Sequence, residues 1–136
     1  MNNTRKAKIF VNVATKNLQA SIAFFKKLGF DFNPKFTDDK AACMIFSEDA
    51  YMMILAEPFF QSFTKKGLCD TTTQNESLLA ISCESRADVD DIVNKAIAAG
   101  GKQALAPVDH GFMYSWSFYD LDGHHWEPLW MDPKAV

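Results

Sequence analysis

Val13-Ala14-Thr15-Lys16-Asn17-Leu18-Gln19-Ala20-Ser21-Ile22-Ala23-Phe24-Phe25-Lys26-Lys27-Leu28-Gly29-Phe30 is the stretch on which the fold of this chain turns. Before it, Lys8-Ile9-Phe10-Val11-Asn12-Val13 is β-branched and apolar, which predicts a strand. Asn17 is suited to cap a helix, because its side chain can accept from the orphan amides of a first turn. Leu18, Ile22, Phe24, Phe25 and Leu28 then recur at the spacing of one helix face, and Gly29 is placed to end it. Phe30-Asp31-Phe32 starts a second strand.

Outward from there, Ala41 to Phe46 and Tyr51 to Leu55 read as two strands joined by Ser47-Glu48-Asp49-Ala50. They are continuously apolar, which predicts a sheet covered on both faces. Residues 57–75 interrupt the pattern with a short aromatic segment (Phe59, Phe60, Phe63) and a polar run, Thr71-Thr72-Thr73-Gln74-Asn75. The order then repeats. Leu78 to Cys83 is a strand, Ser85 caps a helix over Ala87 to Ala99, and Gly100-Gly101 stops it. On that helix Val89, Ile92, Val93, Ala96 and Ile97 share one face. Gln103 to Leu105, Phe112 to Tyr119 and His125 to Trp130 are three further strands, with Asp120-Leu121-Asp122-Gly123 as the last turn. Gly100 lies 71 positions after Gly29, so the chain is an internal duplication. Module one spans about 7–56, a connector about 57–75 and module two about 76–132, within a single domain over 1–136. The predicted class is α+β: two tandem βαβββ modules forming a cupped mixed sheet with helices outside.

Bulk composition narrows the function. The chain has 136 residues, 48% hydrophobic and 23% charged, with a net charge of −3. Those values suit a soluble globular protein and offer no basic stripe for nucleic acid. No run approaches the roughly 20 apolar residues of a membrane span, and the N-terminal residues lack a signal-peptide pattern. The expected location is cytoplasmic, with Cys43, Cys69 and Cys83 as free thiols at no zinc-binding spacing.

Two motifs carry a family resemblance over about residues 7 to 132. The opening stretch quoted above resembles the "D/N-L-x-x-S-x-x-F-Y/F-x-x-x-L-G-F" start of the vicinal oxygen chelate superfamily, which includes glyoxalases, bleomycin-resistance proteins and extradiol dioxygenases. Phe118-Tyr119-Asp120-Leu121-Asp122-Gly123-His124-His125-Trp126-Glu127 is similar to its "D-P-D-G-x-x-x-E" close. The resemblance implies a homodimer and a cup that holds a small molecule, and in many members a divalent metal held by four strand residues. Carried over position by position, those four fall on Phe10, Ile54, Leu78 and Glu127. Only Glu127 has a donor, so the metal is disfavoured and no cofactor is expected.

Glu127 in an apolar cup would be poorly solvated, which raises a carboxyl pKa and suits a general acid or base. A pairing with a neighbour or water is the alternative. His125 shares its strand face and could relay protons, be half of a remade metal site, or lie on the rim; His110 follows Asp109 in a loop that could reach the cup mouth. His124 points the other way, toward packing or surface. The remaining candidates for a mostly apolar pocket are Asn12, Met52 and Ala80, beside the aromatic Tyr114 and Trp116, whose polar handles suit stacking on a planar ligand. Pro128, which donates no ladder bond, predicts an edge or a bulge that could re-aim Glu127. Three functions stay open: a metal-independent binding protein, a lactoylglutathione-lyase-like lyase, isomerase or dioxygenase-like enzyme, and a dimer without ligand.

Overall fold

The computed structural model describes residues 4–135. The chain divides into two compact units, one ending at Leu68 and one beginning at Cys69.

The first unit runs β1 (Ile9–Thr15), α1 (Leu18–Lys27), β2 (Asp31–Phe32), a 3-10 turn (Pro34–Phe36), β3 (Ala41–Ile45), β4 (Ala50–Ala56) and α2 (Glu57–Gln61). Its sheet has the order β1-β4-β3-β2, with β1 parallel to β4 and the other pairs antiparallel. Asn17 caps α1 as expected, its side chain accepting from the Ala20 amide at 3.0 Å. Gly29 ends the helix at φ 102°, a conformation that costs an L-residue about 1–2 kcal/mol. Leu18, Phe24, Phe25 and Leu28 are buried. Each such side chain contributes about 1.5–3 kcal/mol. Thr15 at the end of β1 shares a 2.7 Å hydroxyl bond with Ser21 of α1. The odd-numbered residues of β1 therefore face the helix, while Phe10, Asn12 and Ala14 lie on the far face.

The second unit repeats the plan as β5 (Leu78–Ser82), α3 (Arg86–Ala98), β6 (Lys102–Gln103), β7 (Val108–Asp109), β8 (Met113–Ser115), β9 (Phe118–Tyr119) and β10 (His125–Met131), followed by a 3-10 turn (Pro133–Ala135). β5 is parallel to β10, which is antiparallel to β8 and β9. Ser85 caps α3 by accepting from Asp88 N at 3.0 Å. Val89, Ile92, Val93 and Ala96 are buried, but Ile97, expected on the same face, is exposed. Phe118 and Trp126 stack beneath α3 with ring centroids 6.2 Å apart.

The strand expected over Phe112 to Tyr119 is split into β8 and β9, and Pro128 accounts for the gap. Leu129 pairs Ser115 and Trp126 pairs Phe118, so the register passes unbroken through Pro128 opposite Trp116. Trp116 N donates to Pro128 O at 3.2 Å, but proline has no N–H to return the bond. Pro128 is thus in the central strand, at neither an edge nor a bulge, and Glu127 keeps its place in the alternation.

Gly123, at φ 89°, closes the turn between β9 and β10, and an added Cβ would collide with the Thr71 carbonyl. Gly67 faces open space. Gly123→Ala should cost about 2 kcal/mol or more in urea denaturation, and Gly67→Ala no more than about 0.5 kcal/mol.

Candidate functional site

Register decides which candidates share a face. In the first unit Val11 pairs Met52 and Val13 pairs Ile54, so Met52 and Ile54 lie on the α1 side, fully buried. They were expected on the cup face; a parity difference of one residue sends them into the core instead. The far-face residues of β4 are Tyr51, Met53 and Leu55, beside Phe10, Asn12 and Ala14 of β1. Phe10 stacks on Tyr51 with centroids 4.9 Å apart and planes 12° apart. Lys8 Nζ stands 5.9 Å from the Tyr51 centroid.

A pocket of about 310 Å³ opens on this far face, lined by Asn12, Leu55, Phe60, Phe63 and Thr64. α2 supplies Phe60, and the turn after it supplies Phe63 and Thr64. Asn12 Nδ2 donates to Phe10 O at 3.0 Å, which fixes the amide. The aromatic segment of the connector is thus a pocket wall, and Asn12 and Thr64 are the polar points. Leu55, Phe60, Phe63 and Thr64 were not expected from the sequence as pocket residues; the clustering of three phenylalanines just after a strand was the available signal.

In the second unit Trp126, Pro128 and Trp130 face α3, and His125, Glu127 and Leu129 lie on the far face with Leu78, Ala80 and Ser82 of β5. Glu127 is half-buried and its carboxylate makes no hydrogen bond among the described residues. His125 is buried and meets Tyr119 edge-on at 5.4 Å, so it is not a rim residue. Leu78, opposite His125, is exposed. Tyr114 and Trp116 fall on the α3 side, not the far face where a ligand was expected. Tyr114 Oη donates to Asp90 of α3 at 2.6 Å, and Trp116 Nε1 donates to Gln103 at 2.8 Å. Their polar handles serve the fold. His110 is exposed in the β7–β8 turn, near Phe112. The ladder puts Glu127 opposite Ser117, four residues beyond Met113 at the start of β8. At about 3.3 Å per residue this separates His110 from Glu127 by about 13 Å or more, too far for a direct proton transfer.

The most connected polar cluster lies in the β9–β10 turn. Asp120, buried, accepts from Asp122 N, His124 N and Trp126 Nε1, each at 3.0 Å. Burial pushes its carboxyl above the usual range, against the pull of His124 and of these donors. His124, expected as packing or surface, is buried and meets Glu76 at 3.0 Å. Thr71 Oγ1 donates to Asp122 O, and Asn75 Nδ2 to Gly123 O at 3.4 Å, so the polar run before β5 clamps this turn.

The residues at the family's metal positions do not form a ligand set. Phe10, Ile54 and Leu78 have no donor, and Ile54 lies on the helix side. Met53, on the correct face of β4, offers only a thioether. A hard cation calls for several oxygen or nitrogen donors. Asp120, Asp122 and His124 bring their ligand atoms within 4.8 Å of one another, but both Asp120 oxygens already accept from N–H groups. The thiols are poor nucleophiles as well: all three pKa values are raised, and burial followed by the Asp88 carboxylate pushes Cys83 up to about 12.

Two successive units, each with a strand and helix at its start and that first strand parallel to its last, define a duplicated α+β fold of the glyoxalase type. The sequence profile of the Glyoxalase/Bleomycin resistance protein/Dioxygenase superfamily matches residues 9–127, and the chain belongs to that family. No curated protein sequence matches it. Among solved structures it is similar to a hypothetical protein from S. aureus (27% identity, TM-score 0.78, covering 93% of this chain and 95% of that one). A glyoxalase/bleomycin resistance protein/dioxygenase family enzyme from Burkholderia phytofirmans PsJN shares the fold at 19% identity (TM-score 0.74, 90% and 96% covered). So does a genomically encoded fosfomycin resistance protein from Listeria monocytogenes at 18% identity (TM-score 0.65, 93% and 91% covered). No helix among the described residues is long and apolar enough to cross a membrane.

The Tyr114 phenol is held up to about 12 by its bond to Asp90, followed by burial. That bond needs the protonated phenol. Its contribution is therefore full below the ordinary value of 10 and is lost as pH rises toward about 12. Phenolate absorbance should show a late titration, which Tyr114→Phe removes.

Proposed function

We propose that this chain is a binding protein that holds a small, partly aromatic molecule without the family's divalent metal. The observation that carries this is the pocket on the far face of the first sheet: apolar walls of Leu55, Phe60 and Phe63 around the polar points Asn12 and Thr64. Apolar lining with few polar groups is the usual make-up of a small-molecule site. The stacked Phe10–Tyr51 pair beside Asn12 extends the aromatic surface. The donor-poor metal positions support a ligand held by packing and hydrogen bonds. The three free cysteines support a reducing, cytoplasmic setting. The exposed apolar residues on edge strands, Ile9 and Phe10 on β1 and Leu78 on β5, support a homodimer.

A second reading, a glyoxalase-like lyase or isomerase, rests on Glu127. Its unbonded carboxylate shares a strand face with His125, and a carboxylate free of partners is available to take a proton. His110 has no direct part in this reading.

Elemental analysis of purified protein separates the two. The expected result is below about a tenth of an equivalent of divalent metal, with aromatic-ligand binding unchanged by chelation. In that protein Phe63→Ala weakens binding by about tenfold, the cost of a lost aromatic wall, while Glu127→Gln leaves it unchanged. Near one equivalent of metal, lost in Glu127→Ala, overturns the proposal in favour of a metal-dependent enzyme.

A further inference from the structure

The five residues that line the first sheet's pocket carry no ionisable group, yet two of them present unused hydrogen-bonding capacity. Asn12 spends one Nδ2–H on Phe10 O and keeps the other, and its Oδ1 accepts from no described residue. Thr64 Oγ1 accepts from Lys66 N at 3.3 Å, and its own proton is donated to no described residue. Gln61 holds this wall in place. Its Nε2 donates to Thr64 O at 3.2 Å and to Lys66 O at 2.8 Å, tying the turn that presents Phe63 and Thr64 back to α2. The aromatic wall is braced in turn by the edge-on contact of Phe59 with Phe63 at 4.9 Å.

Building on the reading that this pocket binds an aromatic molecule, we propose that its ligand is uncharged and presents a paired donor and acceptor, as in an aromatic carboxamide or lactam. The ligand N–H meets Asn12 Oδ1 and its C=O meets Thr64 Oγ1–H, with the ring against Phe60 and Phe63. A carboxylate or ammonium of the same shape would leave water for a wall with no counter-charge, which is unfavourable. A carboxylate would also leave Asn12 Oδ1 without a donor, and an ammonium would leave the Thr64 hydroxyl and the second Asn12 N–H without an acceptor. Sites built on such pairs reject analogues that leave a polar group unmatched. Lys65 and Lys66, which follow Thr64, are exposed and outside the lining. An anion could still be drawn to them, and the test includes one.

The test is an NMR titration of the full chain at neutral pH with three near-isosteric probes: benzamide, benzoate and benzylammonium. Binding is localised by the amide shifts of Asn12, Phe60 and Thr64. The expected result is that benzamide binds at least about tenfold tighter than either charged probe. Asn12→Leu and Thr64→Val each weaken benzamide by about tenfold without moving the thermal midpoint, both residues being exposed. If all three probes bind alike, if a charged probe binds tightest, or if Asn12→Leu leaves benzamide affinity intact, the uncharged-ligand inference is overturned while the aromatic-binding reading stands. If none of the probes shifts these amides, both are overturned.

Discussion

Parallel pairing of the first strand with the last is the constraint from which each unit is built. Seven residue pairs hold β1 against β4, and five hold β5 against β10. A parallel pair cannot be closed by a tight hairpin, so each unit must carry its chain back through a helix and the intervening strands. That helix then covers one sheet face and takes the apolar side chains of matching parity. The make-up of the pocket follows from this. Once Thr15 meets Ser21 under α1, Val11 and Val13 must face the helix, and Met52 and Ile54 go with them. Asn12, Phe10, Tyr51 and Leu55 are left for the other side.

The second unit solves a further problem with polar chemistry. A buried carboxylate is expensive unless its lone pairs are met. Asp120 accepts two backbone amides and the Trp126 indole, so a single residue closes the turn into β10 and fixes the ring stacked on Phe118. The turn is held from outside by Thr71, Asn75 and Glu76. Asp120 and Gly123 serve the turn's geometry.

The two units apply the same plan to different ends. Positions on β1 and β4 that pair as Phe10–Tyr51 and Asn12–Met53 correspond to Leu78–His125 and Ala80–Glu127 on β5 and β10. The first unit has stacked its aromatic pair and, through α2, added a pocket wall. The second has kept the ionisable pair, His125 and Glu127, on one strand face. The pocket and the His125–Glu127 pair thus fall on separate sheets.

Local residues alone determined the helices and their ends: Asn17, Ser85, Gly29 and Gly100 act on their immediate neighbours, and helix periodicity is written in consecutive positions. The duplication and the family motifs were legible for the same reason. The placement of Glu127 and His125 on one strand face also followed from simple alternation. What only the tertiary structure decided was which face each strand turns toward its helix, because that depends on register between strands far apart in sequence. Continuously apolar strands such as Ala50–Ala56 carry no alternation to reveal it, so Met52 and Ile54 read as pocket residues and are core. The partners of Tyr114, Trp116 and His124, namely Asp90, Gln103 and Glu76, lie 24, 13 and 48 positions away. Sequence shows that such side chains have polar groups to satisfy; only the packed chain brings the group that satisfies them.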